Sequence, residues 1–134
     1  MNANELAKFR LAPKQTIHSW AKDGLLNRKM KVIDKENTYL PPNLYKVVNK
    51  IWPNLNTRTR LKTTFFIINI FFCENEFGWV EINELKTKNS IKTDKTFNKY
   101  LDIIKTVITI EKQTDIHIQF NYLKLIDLCE GYNE

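Results

Sequence analysis

Lys14, Gln15, Thr16, His18 and Ser19 fall together in the stretch PKQTIHSW. A glutamine can hold adenine through paired hydrogen bonds, and a lysine can reach guanine or phosphate. Lys22, Arg28, Lys29, Lys31 and Lys35 follow closely and can neutralise phosphates. These types at this spacing suit the reading of duplex DNA. A second set, Lys92, Thr93, Lys95, Thr96, Asn98 and Lys99, offers phosphate and base-edge contacts in the later part of the chain. Asp94 and Asp102 interrupt that set and it lacks arginine, so a second reading stands beside the first: a helix used for packing or protein contact.

Other chemistries find no support in the residues. With 3 glycines in the whole chain there is no phosphate-cradling loop. No serine has a histidine and an acid in a nucleophile pattern, and the neighbours His18 and Ser19 cannot face each other on a helix. Glu74 and Glu76 flank a turn and read as solvated. Cys73 and Cys129 are far apart without CxxC spacing, and His18 and His117 are isolated, so neither a metal nor another cofactor is expected. Both cysteines sit in apolar surroundings and read as reduced core thiols. The expectation is a non-enzymatic protein.

The elements that must carry these residues follow from periodicity. Asn2 or Asn4 can cap a first helix bearing Leu6, Ala7 and Phe9. Pro13 opens a second helix, whose Ile17, Trp20 and Ala21 face a core. Gly24 ends it. Met30–Ile33 predicts a strand, Asp34–Thr38 the tip of a wing, and Asn43 the cap of a helix carrying Leu44, Val47, Val48 and Ile51. Ile51–Thr57 is the expected joint between two halves. Beyond it the pattern predicts a long helix over Thr57–Glu74, a turn at Glu76–Gly78 and a strand at Trp79–Ile82. Helices over Asn83–Asn89 and Thr93–Lys105 come next. Strands at Val107–Ile110 and Ile116–Phe120 follow, joined through Lys112–Asp115, and a helix over Tyr122–Leu128 closes the chain. The order helix, strand, helix, helix, strand, strand is that of a winged helix. The predicted fold is therefore mainly α with small β-hairpins (α+β), as two tandem winged helix-turn-helix units over residues 1–56 and 57–134.

Charge separates the halves. The 134 residues carry a formal charge of +6, and 43% are hydrophobic, enough for a core. Residues 1–56 hold 10 Lys/Arg and 4 Asp/Glu, whereas residues 57–134 hold 11 of each. The whole excess lies with the first unit, which fits an anionic partner there. The run Phe65–Cys73 is too short to span a bilayer, which takes about 20 residues. It reads either as core or as a dimer face. The start MNANELAKF lacks the basic and apolar regions of a signal peptide, so a cytoplasmic, nucleoid-associated protein without membrane contact is expected.

Thr16-Ile17-His18-Ser19-Trp20 followed by Lys22-Asp23-Gly24-Leu25-Leu26 resembles the MerR-type helix-turn-helix, whose local pattern is shared with phage excisionases. The resemblance spans roughly residues 4–52 and continues through Tyr39 and Asn43-Leu44-Tyr45. It implies that the second helix enters the major groove with Lys14, Gln15, Thr16, His18 and Ser19, that Trp20 is structural, and that the wing touches phosphate. His18 stands where the family often has arginine, so affinity is expected to depend on pH. The wing carries Thr38-Tyr39-Leu40 rather than Gly-Tyr-Arg. The family's long dimerising helix and effector domain are absent, so no small-molecule effector is expected.

These readings make the chain a candidate sequence-specific duplex-DNA-binding protein, a small regulator or an accessory factor of a plasmid, phage or mobile element, with a homodimer possible. Two alternatives remain at this point. One is a replication or transfer accessory protein binding an origin or single strands, stacking bases on Tyr45, Trp52, Trp79 or Tyr100. The other is a winged-helix protein-interaction adaptor.

Overall fold

Phe65 through Cys73 form the axis of the fold. The computed structural model describes Gln15, His18, Pro41 and residues 43–132. Within these, a helix over Thr57–Cys73 buries every residue from Thr63 to Cys73. A helix enclosed all round must satisfy its own polar side chains. Thr63 and Thr64 do so by donating their hydroxyls to the carbonyls of Thr59 and Arg60, one turn back. Asn69, 1% exposed, donates its amide to Asn89 Oδ1 at 2.9 Å. The Phe65–Cys73 run is thus core rather than an exposed dimer face. Each fully buried Phe or Ile contributes about 1.5–3 kcal/mol to that core.

The described elements are α1 (Leu44–Ile51), α2 (Thr57–Cys73), β1 (Trp79–Glu81), α3 (Ile82–Lys88), α4 (Asp94–Ile104), β2 (Thr109–Gln113), β3 (His117–Asn121) and α5 (Leu123–Glu130). They form a mostly helical α+β structure with one three-stranded antiparallel sheet in the order β1-β3-β2. Both β1 and β2 pair with β3, with Val80 opposite Ile118 and Ile110 opposite Phe120. Ile118 and Phe120 turn into the core, while every residue of the edge strand β2 is exposed. A bulge at Glu111 breaks the β2 register.

Several boundaries differ from expectation for identifiable reasons. Asn43 precedes α1 but in a left-handed conformation (φ 59°) with no side-chain cap bond. Glu74 lies outside α2, in extended backbone, where Tyr122 donates its hydroxyl to Glu74 Oε1 at 2.8 Å. Val107 and Ile108 are buried and lie outside the strand, because both amides bond back to the Ile104 carbonyl and prolong the end of α4. The hairpin turns at Asp115 and Ile116, one step later than the spacing suggests, and Thr114 bonds His117 across it. α1 lies ahead of the expected joint, yet it buries Leu44, Val47 and Val48 in the same core as α2.

Candidate nucleic-acid interface

α4 is held by its start, its inner face and its neighbour α3. Ser90 takes a left-handed conformation (φ 56°), which turns the chain sharply after α3 and lets Ile91 drop into the core. Thr93 then caps α4: its hydroxyl oxygen accepts from the Thr96 amide at 3.2 Å and its proton goes to Thr96 Oγ1. Asp94 in the first turn suits the positive end of the helix dipole. Phe97, Tyr100 and Ile104 point inward, and Phe66 of α2 meets Phe97 at 5.8 Å and stacks on Tyr100 at 5.4 Å. Lys92, Thr93, Lys95, Thr96, Asn98 and Lys99 all lie exposed on the other side. The second candidate set is therefore brought together on one helix and its leading turn.

The two acids that interrupt this set have structural occupations. Asp94 pairs with Lys86 of α3, whose ammonium also lies 5.4 Å from the Phe97 ring. Asp102 pairs with Lys105 at 2.9 Å. Lys92 and Lys95 have no acidic partner among the described residues, and Lys99 lies 5.9 Å over the Tyr100 ring. Burial pushes the Tyr100 phenol above its usual pKa, and the Arg58 charge works against that rise. Arg58 stands in the first turn of α2. Its signal in the sequence is Arg58 and Lys62, four residues apart, at the head of a helix with no acidic residue.

The hairpin after α4 is not a cationic wing. Its exposed charges are Glu111, Lys112 and Asp115, and Glu111 accepts from the Asn121 amide. Of the first candidate set, Gln15 and His18 are helical and exposed. Lys14, Thr16, Ser19, Lys22, Arg28, Lys29, Lys31 and Lys35 lie outside the described residues, as do Trp20, Gly24 and the expected wing.

The aromatic candidates for base stacking divide in the same plain way. Tyr45 and Trp52 lean on the core, and Tyr100 is buried. Trp79 is half-buried and meets His117 edge-on at 6.4 Å. Among the described residues, the large exposed aromatic is Phe77, at 73%, in a turn with Glu76. An acidic neighbour suits a protein contact better than a nucleic-acid strand.

An open groove of about 520 Å³ between α1 and α5 is lined by Val47, Ile51, Leu128 and Tyr132, with Lys50 and Asp127. Among the described residues no group of His, Cys, Asp or Glu side chains is arranged to hold a metal. No helix among them is long and apolar enough to cross a membrane. The chain matches no protein-family model, no curated protein and no solved structure.

Proposed function

We propose that this chain is a non-enzymatic, sequence-specific duplex-DNA-binding protein, a small regulator or an accessory factor of a plasmid, phage or mobile element. The observation that carries this reading is α4. A capped helix, locked on one side by Phe97, Tyr100 and Ile104, presents lysine, threonine and asparagine on the other. It follows a short turn from α3 and precedes an antiparallel hairpin, which is the order of a winged helix-turn-helix unit with α4 as its recognition helix. In this reading residues 57–134 are a second unit on which α1 docks, and the basic residues 1–56 supply a first, MerR-like unit. A rigid helix of this size fits the major groove, where side chains reach base edges.

The test is duplex binding by fluorescence anisotropy across a sodium chloride series. Affinity should fall linearly with salt on logarithmic axes, with a slope of about −0.9 per phosphate neutralised. Binding with a slope near zero, or none at low salt, sinks the reading. Selection from a random duplex pool should then enrich one sequence. Tighter binding to single strands than to duplex would favour the replication-accessory alternative.

A further inference from the structure

Arg58 and Lys62 stand one turn apart on α2, and both are exposed. Their spacing places them on the same side as Phe66, four residues beyond Lys62. Phe66 meets Phe97 and Tyr100 of α4. That side of α2 therefore runs beside α4. The Arg58 charge acts on Tyr100, and the Lys99 ammonium lies 5.9 Å from the same ring. Lys95 is one turn before Lys99 on α4. Cations from two different helices thus border one strip of surface.

Helix stability does not account for these charges. The first turn of α2 contains no acid and its last turn no base, whereas the helix dipole favours the opposite placement. Asn56 alone meets the exposed amides there, accepting from Thr59 at 2.8 Å. Arg60, two residues from Arg58, belongs to the other side of α2 and is half-buried, so it stands apart from the strip.

We propose that Arg58 and Lys62 form a phosphate-binding row beside α4, gripping the duplex backbone while Lys95, Asn98 and Lys99 address the groove. The proposal rests on the DNA-binding reading above and makes the formally neutral half a DNA-binding unit in its own right. Phosphate contacts of this kind fix register and orientation without reading sequence.

The experiment uses the full chain and a labelled random duplex across a sodium chloride series. It compares wild type, Arg58→Ala/Lys62→Ala, Arg58→Lys and Lys95→Ala/Lys99→Ala. The Arg58→Ala/Lys62→Ala variant should lose about 1.8 from the magnitude of the log–log slope, two phosphates at about 0.9 each, while melting at or slightly above the wild-type temperature. Arg58→Lys should keep the slope. If Arg58→Ala/Lys62→Ala binds with wild-type slope and affinity, the phosphate row is refuted, and a loss in Lys95→Ala/Lys99→Ala would leave the DNA-binding reading standing. A wild-type chain with no salt-dependent duplex binding refutes both.

Discussion

Thr93 belongs to the polar set on α4 and Asp94 interrupts it, yet each first serves the helix that carries it. Thr93 closes the α4 start through its hydroxyl, and Asp94 ties α4 to Lys86 of α3. Thr93→Ala should destabilise the protein by roughly 1 kcal/mol in urea unfolding, and Thr93→Ser should restore it. If Thr93→Ala is as stable as wild type, the cap contributes nothing. The two thiols make a second case. Both are buried, and burial, with a smaller push from Glu130, raises the Cys129 thiol to about 12. Because its folded pKa lies above the unfolded value, the unfolded chain releases this proton first as pH rises. Stability should therefore hold below about pH 9 and fall between there and pH 12. Melting temperature measured from pH 7 to 11 checks the sign, and Cys129→Ala should flatten the alkaline part of the curve. Native thiols should stay unreactive to a disulfide reagent until denaturant is added; prompt native reaction at Cys129 would contradict its burial.

At the scale of elements, the Phe66 ring of α2 meets two rings of α4. Phe66→Ala leaves Phe97 and Tyr100 without their partner and should cost ~3–5 kcal/mol by calorimetry or urea. A loss below about 1 kcal/mol would mean that the core collapses onto the gap instead. The elements after residue 43 were legible because their signals are physical and local. Phe97, Tyr100 and Ile104 repeat at helical spacing, Ile118 and Phe120 alternate, and Gly78 with φ 83° marks a turn that other side chains rarely permit. What local spacing could not reveal is which groups meet across the fold. Val107 and Ile108 alternate into the next strand on paper, but the carbonyl of Ile104 claims both amides. No such local signal links Arg58 to Tyr100, which its charge influences, because the two are distant in sequence. Asp94 and Asp102 looked like defects in a basic face until Lys86 and Lys105 were placed beside them.

At the scale of the whole molecule, the absence of net charge in residues 57–134 conceals a separation. α2 carries Arg58, Arg60 and Lys62 near its start, Glu74 follows its last residue, and a helix of 17 residues spans about 25 Å. Opposite charge that far apart is separated by more than the Debye length at physiological salt, about 8 Å, so the two ends do not neutralise each other. The same strand that closes the sheet also leaves it open. β2 offers its outer backbone groups to any passing strand, and what discourages such pairing is the bulge at Glu111 with the charges of Glu111 and Lys112. Replacing both by valine should leave the melting temperature within a few degrees of wild type while shortening the lag before thioflavin-positive fibrils appear. Unchanged aggregation kinetics would show that this edge is shielded by other means. Two side chains on an exposed ribbon then decide how readily copies of the chain join edge to edge as their concentration rises.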